Sequence, residues 1–210
     1  SGQLKSLALQ AVAVTTAIKG IGAVVNTGIQ GQQLEAKFQF ATGGDNKKAA
    51  SDLAFVRAEA DRLALPLLEA ADGFSKLASS TQGTDVEGEK TRPIFSGISS
   101  AMRVLGAPTY QVERAFNAVV QSISKGNLQA EEIRGQLAES IPGAFRILAN
   151  ALDTTEEKLN KDLKAGLVNG AEAMVAFSNE LERMSRAGLL AATSSFQAQM
   201  TRLSNALFDF

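Results

Sequence analysis

Four stretches of the chain carry residue types that could do chemistry. The first is GTDVEGEKT, Gly83 to Thr91, which has the outline of a phosphate-binding loop. Such a loop needs its lysine directly after the last glycine, where the ammonium reaches the phosphates, and it needs a strand before it. Here Glu89 separates Gly88 from Lys90, and Glu87 and Glu89 would repel an anion. The stretch reads instead as a connector into a helix, with Thr84 and Glu87 at capping-box spacing. The second is Ser122-Ile123-Ser124-Lys125, the S-x-x-K spacing of some acyl enzymes. Its companion motifs S-D-N and K-T-G are missing, so Ser122 and Lys125 read as the polar end of a helix. The third and fourth are the carboxylate pairs Glu131-Glu132 and Glu156-Glu157, a residue type used in acid/base catalysis. Adjacent helical residues point to different faces, however, and acids in a first turn suit the helix dipole. Both pairs read as solvated first turns.

Composition narrows the chemistry further. The chain has 210 residues and neither cysteine nor histidine. That removes disulfides, thiolate nucleophiles, histidine triads and nearly every zinc or haem arrangement. With 21 basic and 22 acidic residues there is no basic footprint for nucleic acid. No catalytic, cofactor-binding or metal-ligating set comes together, and the expectation is a non-enzymatic protein without a cofactor.

The elements that would position these residues are helices. Apolar residues recur at helical spacing nearly everywhere, and no stretch alternates convincingly as a strand would. Val112, Phe116, Val119, Val120 and Ile123 share one face, and so do Phe95, Ile98, Met102 and Leu105. Phe145, Leu148, Ala149 and Leu152 form a third stripe, and Met174, Phe177, Leu181 and Met184 a fourth. Gly83, Gly106 to Pro108, Gly126-Asn127, Pro142-Gly143, Gly166 and Gly170 punctuate the stripes. Thr154 and Glu157 again have capping-box spacing. The fold expected is all-α: a compact bundle of short helices over residues 42–186, flanked by longer apolar helices with coiled-coil spacing.

The ends differ from the middle. Over residues 1–41, Leu4, Ala11, Ile18 and Val25 fall seven apart, with Leu7, Val14 and Ile21 interleaved. Residues 187–210 read as the start of a longer helix or coiled coil, because Leu189, Phe196, Leu203 and Phe210 are again seven apart, with Met200 and Leu207 between them. Within one bundle, a long packing helix would account for either stripe. Residues 7–25 are long enough to span a bilayer, but Gln10, Thr15, Thr16 and Lys19 interrupt them, and a mid-span lysine costs roughly 2.5–3.5 kcal/mol. A protein interface fits that segment better, and a membrane-active helical protein acting through residues 7–25 is the alternative. The start at Ser1 and the stop at Phe210 inside an apolar pattern suggest a piece of a longer protein.

The stretch SISKGNLQAEEIRGQLAESIPGA, residues 122–144, holds an oddity: a helix with Gly135 beside its apolar ridge of Ile133, Leu137 and Ile141. Glycine costs roughly 1 kcal/mol against alanine in a helix interior. Close approach of another helix at Gly135 would offset that cost. Pro142 would end this helix and sit in the first turn of the next, where its missing N–H is harmless. Glu131 and Arg134 are spaced to pair at i, i+3.

The same stretch closely resembles a signature of phage tail tape measure proteins. In that family a helix ending in Ser-Lys-Gly leads into Glu-Glu-Leu-Arg-Gly-Gln-Leu and then an Ile/Leu-Pro-Gly-Ala turn. The matching residues here are Ser124-Lys125-Gly126, then Glu131, Glu132, Ile133, Arg134, Gly135, Gln136 and Leu137, then Ile141, Pro142, Gly143 and Ala144. Phe74, Leu77 to Gly83, Leu105-Gly106 and Ala151 to Gly166 are similar to flanking parts of the family pattern, as is the turn Phe40 to Gly44. The resemblance covers residues 38–182. Gln129 departs from it, standing where the family has a serine or similar cap. The resemblance implies a structural virion component of a bacteriophage tail. Such a protein sets tail length and occupies the tail tube lumen or tip during assembly and genome delivery. It implies as partners other copies of the chain, tail tube subunits and tail tip or baseplate hub proteins, with transient host membrane contact open and no specific nucleic acid binding.

Overall fold

Helical spacing becomes helix along almost the whole of residues 30–206, the part of the chain that the computed structural model describes. The helices are α1 (30–41), α2 (Asn46–Leu63), α3 (Leu67–Thr81), α4 (Thr91–Val104), α5 (Thr109–Ser124) and α6 (130–140). There follow α7 (Ala144–Ala151), α8 (Glu156–Lys164), α9 (Gly170–Thr193) and α10 (Phe196–Asn205). A short 3-10 turn, Gly88–Lys90, precedes α4. Among the described residues there is no strand, only an isolated antiparallel bridge between Asn127 and Asn169. The all-α expectation holds.

Side chains at helix starts set several of the corners. Asp45 accepts from the Lys47 and Lys48 N–H groups at the head of α2, and Asn169 accepts from the Glu172 N–H at the head of α9. The cap of α8 falls one residue later than expected: Thr155, not Thr154, accepts from the Lys158 N–H at 3.2 Å. Thr84 and Glu87 do not form a capping box either. The Glu87 carboxylate accepts from the Gly83 N–H at 2.9 Å and pairs with Lys48 at 3.0 Å, so it closes its own loop.

Five phenylalanines, one from each of α1 to α5, run through the core. Phe38 stacks on Phe74 at 5.9 Å between centroids, and Phe74 meets Phe95 edge-on at 5.4 Å. Phe95 stacks on Phe116 at 5.3 Å, and Phe55 touches both Phe74 and Phe95. Such pairs contribute about 0.5–1.5 kcal/mol each beyond the area they bury. The four expected stripes enter this core, except that Leu105 and Met184 at their ends are about half exposed.

The second half of the bundle is organised by α9, which lies along α4. Their crossing is made of small residues: a Cβ on Gly97 would stand 2.8 Å from the Ser178 Cα and closer still to that residue's carbonyl oxygen. The two backbones touch because Gly97 has no side chain. One turn short of its end, α9 repeats the device, with Gly188 against the Val104 side chain.

Packing does not stop at the expected boundaries of 42–186. Leu34, Phe38 and Ala41 of α1 belong to the main core, each no more than 3 % exposed. At the other end α9 continues through residue 186 to Thr193, but the expected longer helix through 187–210 is broken. Ser194 and Ser195 part α9 from α10, and the seven-residue stripe is split between two helices. Residues 4–25, Leu207 and Phe210, which carry the rest of the heptad spacing, lie outside the described residues, as does the candidate membrane segment 7–25. Among the described residues no helix is long and apolar enough to cross a membrane.

Candidate functional site: the helix corner at 122–144

The corner begins where α5 ends. Ser122 is buried, its hydroxyl donating to the Ala118 carbonyl at 2.8 Å, so it is neither a surface residue nor free to act as a nucleophile. Gly126 takes a left-handed φ of 77°, which turns the chain away from α5. Two backbone bonds then tie this turn to the start of α9. The Gly170 N–H donates to the Gly126 carbonyl at 2.7 Å, and the Leu128 N–H donates to the Val168 carbonyl at 2.9 Å.

The helix that follows, α6, is π-wound over Glu132–Leu137. Its bonds there reach five residues back, a form that occurs mostly as single turns inside α-helices. Ile133, Leu137 and Ile141 are all buried, as the ridge spacing predicts. Glu132 is buried too, 3 % exposed, which corrects the reading of Glu131-Glu132 as a solvated pair. Its carboxylate accepts from the Gln129 N–H at 3.1 Å and from the Lys125 ammonium. That is the returning half of a capping box. A side chain at 129 contributes nothing to it, which explains how Gln129 can replace a capping serine here. Glu131 remains exposed, as do Glu156 and Glu157, the last paired with Lys161 at 2.8 Å.

Gly135 is not a close-packing site. A Cβ there would meet nothing within 4 Å, because the residue lies on the open flank of α6. The close approach in this corner falls to Gly170 instead, where a Cβ would stand 3.2 Å from the Gly126 carbonyl oxygen and nearer still to that of Ser122. Arg134 does not pair with Glu131. Its guanidinium lies 3.8 Å from the centre of the Phe145 ring and donates to the Asn160 Oδ1 at 3.4 Å. Gln136 is exposed.

Pro142 also sits differently from expectation, in the turn before α7 rather than in its first helical turn. The Ala144 N–H donates to the Ile141 carbonyl at 3.1 Å, and Gly143 has φ 78° and ψ 15°. With proline second and a positive-φ glycine third, this is a type II turn. Each of the two residues supplies what that turn requires.

The remaining chemical candidates close on themselves. The Gly83 N–H, and after it the Lys48 ammonium, hold the Glu87 carboxyl below its ordinary range. Among the described residues no group of three or more carboxylates or other ligating side chains could hold a metal ion. A cavity of about 350 Å³ lies between α3, α4, α5 and α10, with Phe95, Met102 and Phe116 in its wall. Nothing in the sequence spacing marks it, because its wall combines three consecutive helices with α10, about 70 residues further along the chain.

Charged groups paired among themselves, a phenylalanine ladder and backbone-on-backbone helix crossings define a helical packing module. The tape measure protein family model matches residues 22–210, and the chain belongs to that family, whose members are structural components of phage tails. It is 25 % identical over 186 residues to the probable tape measure protein of Salmonella phage Felix O1 (isolate Felix O1-VT1), covering 88 % of this chain and 24 % of that relative. The chain therefore spans about a quarter of the length of the curated relative it matches. No solved structure matches it.

Proposed function

We propose that this chain is a compact anchoring module of a tape measure protein, which sets tail length and occupies the tail tube lumen or tip during assembly and genome delivery. The observation that carries this reading is the family match over residues 22–210 on a segment that is folded up rather than extended. An extended helix lengthens by about 1.5 Å per residue, so a ruler made of residues 30–206 would measure roughly 270 Å. The longest helix here, α9, has 24 residues and rises about 36 Å. A folded module of this kind contributes little length and suits one end of a ruler built elsewhere in the protein. Its partners would be tail tube subunits, tail tip or baseplate hub proteins, and other copies of the chain, met through the end segments.

In-frame removal of residues 46–193 from the phage protein tests this. An anchoring module gives few tails, and those that form keep the parental length. Tails at normal yield that are shorter by roughly 220 Å, the helical rise of the deleted residues, would show the segment to be part of the ruler. Deleting as many residues from a length-setting segment elsewhere provides the comparison.

A further inference from the structure

We propose that α10 is a releasable latch: docked, it folds the chain back onto the bundle, and released, it joins α9 in one continuous helix.

The break between the two helices rests on one residue. Ser194 is already helical, with φ −95° and ψ −3°, and its N–H donates to the Leu190 carbonyl at 3.1 Å. Ser195 has a helical φ of −64° but an extended ψ of 156°. Rotating that single ψ to about −42° would run α9 into α10. The docked form is held at this point by the Ser195 hydroxyl, which accepts from the Ala198 N–H at 3.2 Å.

Two polar side chains of α10, Arg202 and Asn205, grip the bundle. The Arg202 guanidinium donates to the carbonyls of Asp61 at 2.8 Å and Arg62 at 3.4 Å, at the end of α2, and to that of Thr193 at 2.9 Å. Asn205 bridges the corner between α2 and α3: its Oδ1 accepts from the Leu67 N–H at 3.0 Å, and its Nδ2 donates to the Leu65 carbonyl at 2.8 Å. Ala198 is fully buried, but Met200 is 49 % and Leu203 64 % exposed. Met200 and Leu203 of the docked helix are thus left largely in water while Arg202 and Asn205 hold it to the bundle.

The sequence spacing fits the other arrangement. Leu189, Phe196, Leu203 and Phe210 are seven apart, with Met200 and Leu207 between them, which makes one stripe only if the helix is unbroken. A segment spaced for a continuous helix yet capped and gripped as a folded-back one satisfies two arrangements. Release also uncovers the cavity beside Phe95 and Phe116, because Gln197 and Thr201 form part of its wall.

The chain has no cysteine, so spin labels can be placed cleanly at Arg186→Cys and Ser204→Cys in the full 210-residue chain. On one straight helix these positions lie about 27 Å apart. The docked form must be sharply bent, since Arg202 reaches the Thr193 carbonyl, which a straight helix would put roughly 13 Å away. We expect R202Q/N205A to raise the population at about 27 Å at least tenfold, and Ser195→Ala, which touches no bundle contact, to raise it in the same direction. Adding Phe196→Pro should abolish it, because proline is accepted at a first helical position but cannot continue a helix. The proposal is overturned if both variants keep the parental distance distribution. It is equally overturned if release gives a broad distribution without the 27 Å population and a loss of helical circular dichroism, for then α10 melts instead of joining α9. Should R202Q/N205A fail to fold, Ser195→Ala decides alone.

Discussion

Gly97→Ala is the sharpest test of how the two halves of the bundle meet. The added Cβ would lie 2.8 Å from the Ser178 Cα, with the Ser178 carbonyl carbon and oxygen nearer still. Carbon atoms pack at about 3.5–4.0 Å, so α4 and α9 would have to separate by roughly 1 Å. The atoms in the way are backbone in the middle of the 24-residue α9, so no side-chain rotation can relieve the overlap. Overpacking of this kind costs about 1–3 kcal/mol and more where the neighbour cannot move. Against it stands a helix-propensity gain of about 1 kcal/mol for alanine. A net loss of about 2 kcal/mol corresponds to a fall in Tm of roughly 4–8 °C for a domain of this size. Thermal unfolding followed by circular dichroism reads it directly. Gly135→Ala serves as the internal control: with open space around its Cβ it should melt at or slightly above the parent temperature. If Gly97→Ala melts no lower than Gly135→Ala, the backbone-contact account of the crossing is wrong.

Phe38→Ala should cost about 3–5 kcal/mol in denaturant unfolding, because Phe38 is 1 % exposed and heads the phenylalanine ladder; for the same reason a chain trimmed to 42–186 should unfold more easily than one spanning 30–206. Glu132→Ala should cost about 1–2 kcal/mol through loss of the cap on the Gln129 N–H, whereas Lys125→Met should cost less, since the lysine side chain is 56 % exposed; equal losses would mean that the ion pair, not the cap, matters. The Glu87 carboxyl is held below its ordinary range by the Gly83 N–H and then by Lys48, so its contribution is present above the unfolded-state value and is lost as pH falls through the folded one. Glu87→Gln should therefore flatten the acid limb of a stability-against-pH curve, and an unchanged acid limb would rule out that clasp.

Helical type was legible in the sequence because apolar spacing reports which side of a helix meets the core, and the stripes around Phe95, Phe116, Phe145 and Phe177 are buried as that spacing requires. Helix length was less legible. Leu189, Phe196 and Leu203 keep a seven-residue period across Ser194 and Ser195, and a period carries no sign of one backbone dihedral that interrupts it. The extent of the core is not legible at α1 for a related reason. Of the three large apolar residues of α1, only Leu34 and Phe38 share a face, too few for a stripe, yet both lie deep in the bundle while Phe40 is exposed.

The corner at 122–144 shows why a recognisable motif can be found before its residues are understood. That the chain breaks at Pro142-Gly143 was readable, but not that both residues stand in a type II turn ahead of α7 instead of opening it. The role of Gly135 was not readable either, because spacing along one helix says nothing about which flank a distant helix will approach. The approach comes at Gly170, 35 positions later, and at Gly97 from Ser178. Both are contacts of backbone with backbone, and a missing side chain leaves no periodic trace. Glu132 was hidden for the opposite reason. An acid beside another acid looks solvated in sequence, and it is the return of its carboxylate to the Gln129 N–H, with the Lys125 ammonium beside it, that makes burial tolerable. The motif is thus a device for turning a helix pair and fastening the turn to α9, and the residues that complete it lie outside the motif itself.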